Sequence, residues 1–211
     1  LDRIAVEIRN LQRTEIGEVS EQFRIGQMGS SAVPVKRNPI KSERISSLSR
    51  LVRSLVNVAM ENISLWHERD LSNSANERFT IPMTVVLLDE MLNLMTNIMS
   101  NLEINKERIL SNLEVTNGQI YAEFVLDSLI RKGIPRFGAY RNIQRIAFSA
   151  LENGESFIDA IRKDPEVSKQ LTSEELIRIF QPNSHFASSS NIIQNVAKLV
   201  SDAKSRNAQP S

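Results

Sequence analysis

Apolar residues recur along this chain at helical intervals. Leu1, Ile4, Ile8 and Leu11 stand 3, 4 and 3 apart, so a helical period is running at the first residue with no capping side chain ahead of it. The expectation is that sequence upstream is missing and that the first helix extends from Leu1 to about Phe23, with Gly17 as its one breaker. Ile45, Leu48, Val52, Leu55 and Ala59 repeat at 3, 4, 3 and 4, a seam that packs against long neighbouring helices. Asn38 and Pro39 suit an N-cap and a first helical position, and predict a helix from there to about Ser64. A further helix is predicted from Pro82 to about Leu102. It is apolar nearly all round, so it has to be enclosed by others, within one subunit or between several.

Between these helices lie two irregular stretches, 24–39 and 66–80. The first holds Gly26, Gly29, Ser30, Ser31, Pro34 and Pro39, a density of turn formers that predicts a mobile surface loop. Strand signals are nearly absent. The expected fold is all-α, an elongated long-helix bundle over residues 1–110 followed by a small helical domain over 111–211, where glycines and prolines cut the helices shorter. In the second part Thr172 and Glu175 form a capping box, and Ser190-Asn191 introduces a last helix.

Composition narrows the chemistry. Lys and Arg number 26 against 25 Asp and Glu, so no global charge draws the chain to nucleic acid or an anionic membrane. Asp89, Glu90, Asn93 and Asn97 interrupt the most apolar helix, which argues against a membrane span. With no cysteine and two histidines, His67 and His185, neither a thiolate site nor a multi-histidine metal site is expected. The absence of cysteine fits a reducing, cytoplasmic setting.

The segment Gly29-Ser-Ser-Ala-Val-Pro-Val-Lys-Arg-Asn-Pro39 sets two hydroxyls on a loop, a lysine five or six residues on, and then a helix N-terminus whose free N–H groups favour an anion. Composition alone also allows a plain Ser/Gly loop with a solvated lysine. The segment resembles the signature of the fumarase/aspartase superfamily, Gly-Ser-Ser-x-Met-Pro-x-Lys-x-Asn-Pro, whose members cleave C–N or C–O bonds by β-elimination. Val33 replaces the usual Met, and Val35 replaces a His or Tyr.

The stretch Leu65-Trp-His-Glu-Arg-Asp-Leu-Ser-Asn-Ser-Ala-Asn-Glu-Arg78 is similar to the adenylosuccinate lyase branch, as are Lys36 to Glu43 and Glu7 to Glu15. The likeness is good over residues 1–135. Beyond them it rests on helical pattern and Asn183-Ser-His-Phe186.

This resemblance implies the C-terminal part of an adenylosuccinate lyase that needs no cofactor or metal. It would act as a homotetramer, with each active site built from several subunits around a nucleotide substrate. By position, Ser30 matches the serine that removes the Cβ proton of the succinyl group, with Ser31 its neighbour. Lys36 and Asn38 match groups that hold the succinyl carboxylate and the added charge, and Glu43 a carboxylate that faces a catalytic histidine. Arg69, Ser74 and Arg78 match the phosphate contacts. Without the resemblance, Arg69 and Arg78 would be read as salt-bridged among Glu68, Asp70 and Glu77. His67 and His185 are expected to be structural, which leaves the general acid to other segments and the isolated chain inactive.

Two other readings compete: a superfamily member with a different substrate, such as argininosuccinate or a carboxymuconate, and a nucleic-acid module using Lys36, Arg37, Lys41, Arg44, Arg50 and Arg53. The phosphate set argues against the first. No aromatic residue lies between Phe23 and Trp66 to stack bases, which argues against the second.

Overall fold

The computed structural model describes residues 1–23, 26, 32, 33 and 35–207, with the side chains of 206 and 207 excepted. Ser30 and Ser31, and with them the centre of the signature segment, lie outside the described residues. The chain divides into two compact units, Leu1–Asn112 and Leu113–Ser211. Both are helical.

The first unit opens with α1, Asp2–Leu11, which buries Ala5 and Ile8. This helix is shorter than its periodicity predicts. At Gly17 the backbone turns left-handed, with φ of +63°, and the Gly17 N–H closes the turn on the Arg13 carbonyl at 2.7 Å. Arg108 Nη2 and Nε hold the same turn through the carbonyls of Glu15 and Ile16 at 2.7 and 2.9 Å. The chain then runs into β1, Val19–Ser20, which pairs antiparallel with β2, Glu103–Ile104. This two-residue ladder carries no apolar alternation, and the hydropathy pattern gave no sign of it.

Two long helices follow: α2, Ile40–Glu61, and α3, Ser74–Ser100. At 1.5 Å per residue they extend about 33 and 40 Å. They run antiparallel. Asn62 and Asn76 exchange amide hydrogen bonds of 2.7 and 2.8 Å at one end, and Lys41 donates to Asn97 at 2.5 Å toward the other. The core of this unit joins Ala5 and Ile8 of α1, Ile45 of α2, and Met91, Met95 and Ile98 of α3, with Leu48 and Val52 packed against it. The α2 seam is therefore packed in its first half. Its second half, Leu55 and Ala59, lines an open groove of about 300 Å³ with Val56, Ile81 and Val85.

α3 differs from expectation in two ways. It starts eight residues before Pro82, which lies inside the helix, and much of its apolar surface is bare: Ile81, Val85, Val86, Leu92 and Met99 are all exposed. By length and mean hydropathy α3 could cross a bilayer. It serves here as a bundle helix, since Glu90 pairs with Arg44 and Asn97 with Lys41 of α2.

α4, Lys106–Glu114, begins in the first unit and runs past its end at Asn112. The second contains α5 (Ala122–Arg131), α6 (Arg136–Asn153), α7 (Phe157–Lys163), α8 (Ser173–Ile179) and α9 (Ala187–Asn207). Its core gathers Val125, Leu129, Ile143, Ile146, Phe157, Ile161 and Leu176. The Thr172–Glu175 capping box is formed in full at the start of α8. α9 begins three residues before the Ser190-Asn191 signal. Gly118, at φ of +86°, lies where a Cβ would come within 2.9 Å of the Phe180 ring, so any side chain there would drive that ring out of the core.

Candidate active site

α2 fixes the first group of candidate residues. Lys36 and Arg37 are exposed, Asn38 and Pro39 half-buried, and Glu43 lies exposed in the first turn of α2. The helix is capped differently from its sequence signal. Pro39 occupies the N-cap position, and the capping oxygens belong to Glu21, which is 5% exposed. The Glu21 carboxylate accepts from the backbone N–H groups of Lys41 and Ser42 at 3.2 and 2.7 Å, and from the Ser42 hydroxyl at 2.6 Å. A carboxylate suits this place because the first-turn N–H groups have no intrahelical partner and carry the positive end of the helix dipole. The Lys36 ammonium has no ion-pair partner among the described residues.

The second group stands at the other end of α2. Arg69 is exposed in the connection between α2 and α3, Ser74 opens α3 half-buried, and Arg78 follows one turn later, exposed. Two of their acidic neighbours, Asp70 and Glu77, are otherwise engaged. Asp70 accepts from the backbone N–H groups of Trp66 and Ser72 at 2.7 and 2.8 Å and from the Ser72 hydroxyl at 2.6 Å. These bonds, the hydroxyl's foremost, hold its carboxyl below the ordinary value. Glu77 accepts from Asn73 at 3.0 Å. Neither Arg69 nor Arg78 makes an ion pair among the described residues.

One chain does not bring the two groups together. From Glu43 to the end of α2 the helix rises about 27 Å, so the two groups stand well apart. Of the two histidines, His185 bonds through Nε2 to the Ile179 carbonyl oxygen at 2.6 Å and stacks on Phe124 with ring centroids 3.6 Å apart, a structural role. His67 is exposed with φ of +53°. The basic face considered for nucleic acid is partly neutralised, since Arg53 pairs with Asp2 at 2.8 Å and Arg44 with Glu90 at 3.5 Å.

Comparison with known proteins adds to this geometry. A family model described as Lyase matches residues 1–54, and one described as Adenylosuccinate lyase C-terminus matches 118–196. The chain is 45% identical over 180 residues to adenylosuccinate lyase of Thermotoga maritima, covering 85% of this chain and 42% of that protein. It is 42% identical over 206 residues to adenylosuccinate lyase of Pyrococcus abyssi, covering 98% of this chain and 46% of that one. The chain belongs to the adenylosuccinate lyase family.

It spans a little under half the length of these family members. Among solved structures, 3-carboxy-cis,cis-muconate lactonizing enzyme from Pseudomonas putida superposes with a TM-score of 0.78 at 27% identity, over 98% of this chain and 45% of that one. A fumarate lyase from Mesorhizobium superposes at 0.76 with 24% identity over 92% of this chain and 42% of that one, a likeness of fold. The family's C-terminal model falls on the second unit, where the sequence pattern carried the resemblance only weakly.

Proposed function

We propose that this chain is part of an enzyme that releases fumarate from adenylosuccinate, giving AMP, and from the succinylated aminoimidazole carboxamide ribonucleotide of purine biosynthesis. The observation that carries the reading is the pair of arginines flanking Ser74 in sequence, neither ion-paired among the described residues, in a chain more than 40% identical to adenylosuccinate lyases. Arg69, Ser74 and Arg78 hold the nucleotide phosphate. At the succinyl end Ser30, its proton lost, takes the Cβ proton. The electron pair left on Cβ delocalises into the adjacent carboxylate, and Lys36 and Asn38 stabilise the added negative charge. That pair then forms the double bond of fumarate as the C–N bond breaks, and an acid from another segment protonates the leaving nitrogen. Ser31 lies beside the base and contacts substrate, and Glu43 orients a histidine that this chain does not supply.

The complete enzyme is a cytoplasmic homotetramer with active sites shared between subunits. Two features support shared sites: the rise of about 27 Å from Glu43 to the end of α2, and the bare apolar face of α3 with the groove beside it. The first unit forms part of the central bundle domain, and the second is a separate small helical domain.

The test is fumarate release by the full-length protein. Ser30→Ala should lower the turnover number by about a thousandfold or more with little change in KM, because the proton transfer belongs to the transition state. Ser31→Ala should be much milder. Arg78→Ala should instead weaken AMP inhibition and raise KM, at a cost of about 1.5 to 3 kcal/mol for a charge-assisted hydrogen bond. Equal modest losses at the two serines would overturn the assignment of the base.

A further inference from the structure

Gln12 closes α1 and joins two points of the chain that are far apart in sequence. Its Oε1 accepts from the Glu21 backbone N–H at 3.0 Å, and its Nε2 donates to the Arg37 carbonyl oxygen at 3.0 Å. An N–H can only donate and a carbonyl oxygen can only accept, so the two partners fix which way the amide faces. A glutamine is also the side chain type this place requires. A glutamate would set an anionic acceptor against the carbonyl, and an apolar residue would leave both backbone groups without it.

Glu21 carries the connection onward to Lys41 and Ser42 in the first turn of α2, through the three bonds described above. The chain of contacts therefore runs from the buried face of α1, anchored by Ala5 and Ile8, to the Arg37 carbonyl on one side and the first turn of α2 on the other. Lys36, Asn38 and Glu43 all lie within two residues of a pinned backbone group.

We infer that Gln12 and Glu21 are positioning residues for the succinyl end of the site. They touch no substrate. Gln12 holds the Arg37–Asn38 peptide and Glu21 holds the first turn of α2, and together they set where the Lys36 ammonium and the Asn38 amide stand. Placement matters at this end because the groups there act on charge that develops during reaction, and an error of an ångström in such groups costs far more in rate than in binding. This inference rests on the function proposed above.

The experiment compares the full-length protein with its Gln12→Met and Glu21→Gln variants, reading turnover, KM for adenylosuccinate, the dissociation constant of AMP, and amide hydrogen exchange. Gln12→Met keeps the length of the side chain and removes both bonds. It should lower kcat by about ten- to a hundredfold and leave AMP binding within about twofold, because the phosphate contacts stand at the far end of α2. Exchange should quicken at Arg37 to Ser42 and stay unchanged in the C-terminal half of α3. If Gln12→Met does not fold, the same split is read on Glu21→Gln, which keeps the volume and one acceptor oxygen. A kcat equal to the parent's overturns the inference, as does a loss of AMP binding in step with kcat, which would mark a general structural defect. A parent protein that neither turns over adenylosuccinate nor binds AMP would overturn the proposed function itself, and this inference with it.

Discussion

Asp164 shows how a single buried carboxylate is kept charged in the second unit. Burial alone would push its pKa up. The Arg145 guanidinium at 2.6 Å and the N–H groups of Val167 and Glu166 at 3.0 Å outweigh that and hold it below the ordinary value. Because the folded pKa lies under that of the unfolded chain, these contacts contribute fully at neutral pH. Their contribution is lost as pH falls from about 3.9 through the lower folded value. Asp164→Asn should therefore cost about 1 to 3 kcal/mol at pH 7, read as a lower urea midpoint for the second unit. The gap between variant and parent should narrow as the pH falls below about 4. A gap of the same size at pH 7 and pH 3 would mean that the charge of Asp164 contributes nothing.

Among the elements, α3 starts eight residues before its sequence signal, and Pro82 is the reason. A proline opens helices readily, so the pattern placed the start of the helix there. In the structure the helix passes through Pro82 and begins at Ser74. The ring then removes the N–H that would bond the Arg78 carbonyl and crowds that carbonyl, which sets the backbone beneath one of the proposed phosphate contacts. Pro82→Ala should raise stability by roughly 1 kcal/mol, the regained helical bond less the chain entropy that proline removes. It should also raise KM for the proposed nucleotide substrate as the Arg78 carbonyl regains its helical bond. Thermal melting and steady-state kinetics read the two effects, and a stabilised variant with an unchanged KM would separate the proline from the site.

The same comparison shows what the sequence made legible. The α2 helix, its seam and the Thr172–Glu175 box are local signals, and the structure has them. The Gly17 turn held by Arg108 and the capping of α2 by Glu21 depend on partners twenty or more positions away, which no periodicity records. The two-residue ladder of β1 and β2 is also long-range, joining Val19 to Ile104. Of the proposed site, the residue types and their spacing could be read from the chain. The separation of Lys36 and Glu43 from Arg78 along α2 could not, because it depends on the path the chain takes between them.

For the molecule as a whole, that separation bears on assembly. If one substrate meets Lys36 from one copy and Arg78 from another, a Lys36→Ala chain and an Arg78→Ala chain damage different partners in the same site. Each variant alone should be nearly inactive. Unfolding the two full-length variants together and refolding the mixture should restore part of the activity, since some sites then receive both intact residues. A mixture no more active than its components would show that each site draws both residues from one chain.

The half-packed seam of α2 carries a consequence in time. Ile45, Leu48 and Val52 find their partners on α1 and α3 of the same chain, so that part of the core closes at a rate indifferent to how many molecules are present. Leu55 and Ala59, with the bare face of α3 beside them, wait for another molecule under the assembly proposed above. Their burial then proceeds as an encounter, faster in concentrated solution and slower in dilute. A newly made chain in a cell that makes few copies would keep this surface uncovered longest, and the interval before it meets its partners is when it is most open to wrong ones.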